Sequence, residues 1–191
     1  MRSITLVPVA IGLAIAAAGC GGIASAAPKV SKPVLAAGPH VPKSGGKVNL
    51  TSFSNNDGPT SKVVLTGSIG DYGNAVRMST GGSLEDNELK LEMTRGSFRL
   101  DIAVIESELV QSAGSGFPTN QATCSGLLDV TAASPIVSGS GTGAYRGIHG
   151  TLHLTISINE VESWPVCPET DTSPYLSQTA FITGSGLVTL K

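Results

Sequence analysis

The chain contains little charge, and its positive charge is not concentrated in any segment. Asp, Glu, Lys and Arg make up 14% of the 191 residues, and the formal net charge is -2. The Lys and Arg residues are scattered along the chain. Nucleic-acid binding needs a basic surface, and electrostatic membrane binding needs a polybasic segment. The sequence therefore predicts no nucleic-acid partner and no basic membrane patch.

Residues that commonly hold metals or carry catalysis are also few. The three histidines are His40, His149 and His153. His149 and His153 share one face of an expected strand, but extended chain separates them by about 13 Å, which is too far for one metal ion. Residues 139–143 are glycine-rich, yet no helix follows to hold a phosphate at its N-terminus. We therefore expect no metal, no cofactor and no catalytic residue.

Two pairs of glutamates lie near the ends of expected strands. Glu106 and Glu108 share one parity, and so do Glu160 and Glu162. Paired carboxylates can serve as a general acid and a general base. Because both pairs adjoin long loops, we interpret them as solvated charges.

Cysteine is scarce, which restricts its roles. The three cysteines are Cys20, Cys124 and Cys167. Neither late cysteine belongs to a Cys-x-x-Cys motif or adjoins a histidine, so no redox or nucleophilic role is expected. In an exported chain an even pair predicts a disulfide between Cys124 and Cys167, which would stabilise the fold by about 4 kcal/mol. The alternative is two free thiols.

The N-terminus resembles an export signal. Arg2 precedes an uncharged apolar run at residues 4–18, which is shorter than the roughly 20 residues that span a bilayer. Ala17-Ala18-Gly19-Cys20 fits a bacterial lipobox, in which Cys20 is lipidated, and Ala24-Ser25-Ala26 fits an ordinary signal-peptidase site. A retained membrane anchor is the third alternative. We expect an exported protein that is anchored to the cell membrane by lipid, secreted, or held in the cell wall.

The remaining chain divides into a tether and one domain. Residues 1–26 form the export signal, residues 27–47 form a flexible Pro/Ala/Gly/Lys tether, and residues 48–191 form a β-domain. No amphipathic helix of normal length is expected, since residues 105–111 can form one turn at most. The expected strands lie at residues 48–55, 62–69, 74–79, 87–94, 98–104, 122–131, 148–159 and 178–190.

Alternation and embedded glycines indicate a closed antiparallel barrel. Residues 148–159 alternate apolar and polar side chains, which is typical of a half-buried strand. Residues 87–94 and 98–104 alternate in the same way and predict a hairpin. Gly67, Gly126, Gly184 and Gly186 fall inside strands and mark bends or a crowded interior. The expected fold is all-β, a single antiparallel barrel of about eight strands.

One stretch is distinctive enough to suggest a family. Residues 139–151 read Gly-Ser-Gly-Thr-Gly-Ala-Tyr-Arg-Gly-Ile-His-Gly-Thr, and residues 65–73 and 95–98 add weaker matches. Together they resemble the allene oxide cyclase-like barrel, the fold of plant dirigent proteins, and secreted actinobacterial proteins of that type. The resemblance implies an eight-stranded barrel with a central cavity over residues 48–191. No active-site residue of that family has a counterpart here.

Four residues are candidates for ligand contact. Asp71 and Tyr72 lie near one mouth of the expected barrel, and Tyr145 lies in the glycine-rich stretch. Trp164 lies in a long loop beside Cys167, where it either contacts a ligand or caps one end of the barrel.

The sequence leaves three functions open. The first is a non-catalytic envelope protein that binds a small apolar ligand or an envelope partner and attaches to the membrane through an N-terminal lipid. The second is an isomerase or cyclase that acts on a lipid-like substrate, as the fold resemblance suggests. The third is a structural surface protein with a filled barrel. The contents of the barrel interior distinguish them.

Overall fold

A computed structural model describes residues 44–55, 60–81, 87–113, 120–163 and 175–191. Within these ranges the chain forms eight strands, one α-helix and one 3-10 turn. The elements in chain order are β1 (Gly46–Ser54), β2 (Thr60–Gly67), β3 (Asp71–Met78), β4 (Glu88–Met93), β5 (Gly96–Asp101), α1 (Ala103–Ala113), β6 (Ser125–Pro135), the 3-10 turn (Gly143–Tyr145), β7 (His149–Glu162) and β8 (Tyr175–Thr189).

All eight strands belong to one antiparallel sheet. Their order across the sheet is β5-β4-β3-β2-β1-β8-β7-β6. The sheet curls into a half-barrel. The all-β prediction is confirmed at this level, and each predicted strand is present with its ends shifted by a few residues.

The buried face of the sheet follows the period-two alternation. Two glycines of β8 leave space for the neighbouring strand β7 on this face. A Cβ at Gly184 would lie 2.4 Å from Leu154 Cδ2, and one at Gly186 would lie 2.0 Å from the Thr151 carbonyl oxygen. The glycines therefore mark a crowded interior, as predicted. The larger core side chains that are at most 2% exposed include Val48, Leu50, Val63, Leu65, Leu89, Leu91, Phe98, Leu100, Leu152, Leu154 and Val188.

The glycine-rich segment after β6 covers the edge of β5. Val137 N–H donates to the Arg99 carbonyl at 2.9 Å, and Thr142 N–H donates to the Ser97 carbonyl at 2.8 Å. A further backbone bridge joins Leu100 to Ile136. An uncovered edge strand exposes unpaired backbone groups. This segment therefore supplies hydrogen-bond partners to the backbone of β5, and it connects the two edges of the curled sheet.

Helix α1 corrects the sequence analysis, which expected a strand up to Val104 and at most one helical turn after it. Asp101 Oδ1 accepts the Ala103 N–H at 3.0 Å, which caps the start of the helix. Ile105 and Leu109, four residues apart, are buried, whereas Val104 is 56% exposed. The cap and this short apolar stripe favour a helix over a continued strand.

The two ends of the sheet differ in composition. The glycine end comprises residues 67–71 and 94–96, which form tight turns between strands, and the longer connection 136–148 between β6 and β7. The glutamate end comprises the ends of β1 and β7, the starts of β2, β6 and β8, and helix α1. It contains Glu106 and Glu162, each 9% exposed. The interpretation of these two glutamates as solvated was wrong.

Some predictions fall outside the described residues. These are the export signal, residues 27–43 of the tether, and the side chains of His40, Cys20, Trp164 and Cys167. The last two residues of the predicted tether, Gly46 and Lys47, belong to β1. Cys124 is described and buried, and its pairing with Cys167 stays a prediction. Within the described ranges, no helix has the length and apolar character needed to cross a membrane.

Candidate functional site

Asp71 and Tyr145 meet inside the glycine end. The Tyr145 hydroxyl donates to Asp71 Oδ2 at 2.7 Å, although 74 residues separate the two. Thr94 Oγ1 donates to Asp71 Oδ1 at 2.5 Å, and the Tyr72 N–H donates to the same oxygen at 2.8 Å. The Arg95 N–H is a further donor to this carboxylate. One carboxylate thereby holds together β3, the β4–β5 turn and the 3-10 turn.

The protonation of this cluster follows from its contacts. Burial alone would raise the pKa of Asp71, but hydrogen bonds from Thr94, Tyr145 and two backbone N–H groups outweigh burial and lower it. Burial raises the pKa of Tyr145 far above its usual value, and the hydrogen bond to the Asp71 carboxylate raises it further. At neutral pH the cluster is therefore an ionised carboxylate that accepts from a neutral phenol.

The cluster is closed to ligands. Tyr145 is fully buried, with its ring 5.1 Å from that of Phe98, and Asp71 is 4% exposed. Both carboxylate oxygens already accept hydrogen bonds. This geometry favours a structural role, in which the carboxylate fastens the glycine-rich segment to the sheet. The side chain of Tyr72 points the other way and is 58% exposed.

An open groove lies at the opposite end of the sheet. It has a volume of about 480 Å³ and crosses the starts of β6 and β8 and the end of β7. Leu127 and Val161 supply its apolar surface and are 48% and 43% exposed. Its polar surface is mostly uncharged and comes from Asn120, Ser125, Asn159, Ser177 and Thr179.

Backbone turns and strand register build this groove. The Asn120 side chain accepts the N–H groups of Ala122 and Thr123 at 3.1 and 3.2 Å, which folds the chain ahead of β6. Register then places Leu127 opposite Asn159, and Asn159 opposite Thr179. These three side chains form one row across three strands.

Among the described residues that line the groove, Glu160 supplies a carboxylate, which already accepts a hydrogen bond. Gln178 Nε2 donates to Glu160 Oε2 across the β7–β8 pair. Gln178 is 8% exposed, so the amide is fixed beneath the groove. The lining therefore offers amide and hydroxyl groups together with one carboxylate that a neutral amide holds in place.

The outer face beside the groove carries exposed apolar side chains, most of them aromatic. Phe53 and Phe181 are cross-strand partners on β1 and β8 with ring centroids 5.0 Å apart. Val64 and Tyr72 are partners on β2 and β3. All four are more than 40% exposed.

Sequence reasoning found part of this arrangement. The structure brings Asp71 and Tyr145 together, places the Tyr72 side chain on the outer face, and does not describe Trp164. The groove residues were missed. Their signal was the outward parity of Asn159 and of Thr179 in strands that adjoin long loops, but strand register was needed to align them.

The described histidines remain separate. His149 Nδ1 lies 3.0 Å from the Gly147 carbonyl oxygen, and its Nε2 lies 2.5 Å from Thr189 Oγ1. His153 faces outward on β7. Across the described ranges, no group of three or more His, Cys, Asp or Glu residues has the geometry to hold a metal ion.

Comparisons with protein-family models, curated proteins and solved structures gave no match to this chain. The allene oxide cyclase-like assignment therefore stays a prediction from residues 139–151. The structure shows a curled sheet of eight antiparallel strands that forms a half-barrel, which is the coarser part of the predicted fold.

Proposed function

We propose that the mature chain is an exported, non-catalytic domain of the cell envelope that binds an envelope partner in the groove at the glutamate end. The open groove of about 480 Å³ carries this proposal. It combines exposed apolar side chains with several amide and hydroxyl groups, which is the usual composition of a binding site.

Export and anchoring rest on the sequence. Residues 4–18 form a short apolar segment, and Cys20 follows small residues as in a lipobox. A disulfide between Cys124 and Cys167 fits an oxidising compartment. A chain tethered at Cys20 would present the β-domain at the membrane surface.

The closed cluster at the glycine end supports a non-catalytic role. A catalytic pair needs access to its substrate, whereas Tyr145 is fully buried and Asp71 has its donors in place. The sequence resemblance to the allene oxide cyclase-like barrel predicts architecture and no catalytic residue. Fold alone does not imply activity.

One observation favours a second candidate, a purely structural surface protein. Side chains fill the interior near the glycine end, where Leu152 and Leu154 pack against the two glycines of β8. A filled interior leaves the fold stable without a ligand. The two candidates differ in whether the groove has an occupant.

Envelope sedimentation tests the groove directly. The mature Cys20→Ser chain, which cannot carry the lipid anchor, is mixed with isolated envelopes of the bacterium that produces it. We expect it to sediment with them, and Leu127→Arg to abolish this because a guanidinium enters the groove. Leu187→Arg, on the same outer face but near the glycine end, is the matched control. Sedimentation that is absent, or that survives Leu127→Arg, favours the structural candidate.

Two mass measurements address the remaining parts of the proposal. Intact mass of the exported chain is expected to show acylation at Cys20, and a free N-terminus at Ala27 would rule out the anchor. Native mass spectrometry of the domain from its own host tests the small apolar ligand, which would appear as a co-purifying lipid.

A further inference from the structure

We infer that the groove continues into a platform of exposed rings, and that this combined surface binds an uncharged polysaccharide chain. The inference rests on the proposed function, because it names the chemical class of the partner in the groove. It depends on the continuity, the chemistry and the charge of the surface.

The groove and the rings are continuous along β8. Thr179 lines the groove, and Phe181 follows two residues later on the same face, about 7 Å away at the rise of a strand. Phe181 packs against Phe53 of β1. An elongated molecule that leaves the groove along β8 therefore meets this pair first.

The exposed apolar side chains, three of which are aromatic, extend over four neighbouring strands. We call Phe181, Phe53, Val64 and Tyr72 the aromatic platform; they lie on β8, β1, β2 and β3 in the order of the sheet. Their exposed fractions are 42%, 44%, 48% and 58%. Phe53 lies opposite Lys62 and Val64 lies opposite Thr51, so the platform crosses the sheet diagonally from the ring pair to Val64 and Tyr72. Exposed apolar side chains grouped in this way commonly mark a binding site.

A row of hydroxyl groups adjoins the ring pair on its glycine-end side. Register aligns four threonines in one row across β6, β7, β8 and β1. The row consists of Thr131, Thr155, Thr183 and Thr51. Thr131 and Thr155 share a hydrogen bond of 2.8 Å. The outer face thus places a row of hydroxyl groups directly beside the ring pair.

Sugar chains match this pattern. A pyranose ring has apolar C–H groups on its faces, which stack on aromatic rings, and hydroxyl groups at its edge, which need hydrogen-bond partners. The platform offers the first kind of contact. Asn159, Ser177 and Thr179 of the groove offer the second. A wholly apolar molecule would remove water from these three side chains without replacing their hydrogen bonds.

The charges on this surface favour an uncharged chain. Glu160 is engaged by Gln178, and Lys62 Nζ donates to Asn74 Oδ1 at 2.8 Å. Asp129 is exposed in the same row as the ring pair, with Ser157 between it and Phe181, and carries the opposite sign to Lys62. A phosphorylated or acidic polymer would find no concentration of positive charge among the described residues of this surface.

Titration calorimetry with purified maltohexaose, cellohexaose and chitohexaose tests the inference on the mature chain. We expect at least one hexaose to bind, and Phe181→Ala to weaken its affinity by about tenfold, since one stacked ring is lost. Phe181→Trp should retain binding, which separates loss of the ring from loss of the fold. Leu187→Ala is the matched control on the same strand. Failure of all three hexaoses to bind, or binding that is unchanged in Phe181→Ala, overturns the inference.

Treated envelopes separate this inference from the proposed function. Sodium periodate cleaves the vicinal diols of sugars, and proteinase K removes proteins. We expect periodate to abolish sedimentation of the Cys20→Ser chain and proteinase K to leave it intact. Sedimentation that depends on Leu127 but resists periodate overturns the polysaccharide inference and leaves the proposed function standing. Sensitivity to proteinase K alone would indicate a protein partner and would likewise overturn it.

Discussion

The two ends of the sheet use polar side chains in opposite ways. At the glycine end, Asp71 and Tyr145 point inward and satisfy each other, with Thr94 and backbone donors completing the cluster. At the glutamate end, Asn159 and Thr179 point outward and line an open groove. The difference shows that a polar residue in an apolar fold is not by itself a site. Saturated and enclosed groups hold the fold, and accessible groups are available for binding.

The largest expected effect breaks the glycine end. Asp71→Ala leaves the Tyr145 hydroxyl and other donors without their acceptor, and we expect it to lower the free energy of unfolding by about 3–5 kcal/mol. Asp129→Ala, which removes an exposed carboxylate of the outer face, should change it by less than about 0.5 kcal/mol. Urea unfolding followed by circular dichroism measures both. Equal effects would show that the Asp71 cluster does not hold the fold.

A pair of glycines sharpens the same contrast. Gly143 has φ +56°, and a Cβ there would lie 2.3 Å from the Arg95 carbonyl oxygen. Gly139 has φ +71°, but a Cβ there would meet nothing within 4 Å. We expect Gly139→Ala to cost about 1 kcal/mol from backbone strain and Gly143→Ala about 2–3 kcal/mol, since it also displaces the segment from β5. Thermal unfolding compares them. A Gly139→Ala variant that is the less stable of the two would contradict this account.

Acid is expected to weaken the glycine end, because the ionised carboxylate of Asp71 stabilises the fold. The folded state lowers the pKa of Asp71, so the unfolded state binds more protons as pH falls. The stability contributed by Asp71 is therefore present above the unfolded pKa near 4 and is lost as pH falls through the folded value. Asp71→Asn should flatten the dependence of unfolding free energy on pH below 4. The same slope in both proteins would assign the acid sensitivity to other carboxylates.

The smallest effect concerns hydroxyl groups of the core. Ser134 is fully buried, and its Oγ has no hydrogen-bond partner in the part of the chain that the structure describes. Ser52 is also buried, but its Oγ lies 2.6 Å from the Oγ of Ser61, so these two hydroxyl groups share a hydrogen bond. We expect Ser134→Ala to stabilise the fold by about 1 kcal/mol and Ser52→Ala to destabilise it by a similar amount. Chemical denaturation tests both signs, and destabilisation by Ser134→Ala would imply a bound partner for its hydroxyl.

Much of the fold could be predicted from local pattern. Period-two alternation located the strands because one face of each is buried, and the glycines of β8 indicated a crowded interior. Helix α1 was missed because the apolar alternation of β5 continues through Ile102, while the Asp101 cap depends on side-chain placement.

Long-range relations were harder to predict. The glycine-rich segment was expected to mark the barrel fold, but its contact with the edge of β5 joins residues as distant in sequence as Ser97 and Thr142, which are 45 positions apart. Asp71 and Tyr145 were both selected as ligand contacts, and nothing local indicated that they pair with each other. The groove depends on the register of β6, β7 and β8, which single-strand patterns do not contain.

Hydrogen exchange of the purified mature chain, with and without solubilised envelope glycan, tests the central claim most directly. The account predicts slower exchange in peptides that cover residues 125–129 and 177–183 when the glycan is present. Peptides that contain Asp71 or Tyr145 should exchange at the same rate in both samples. Protection confined to the glycine end would contradict the assignment of structure to one end and binding to the other.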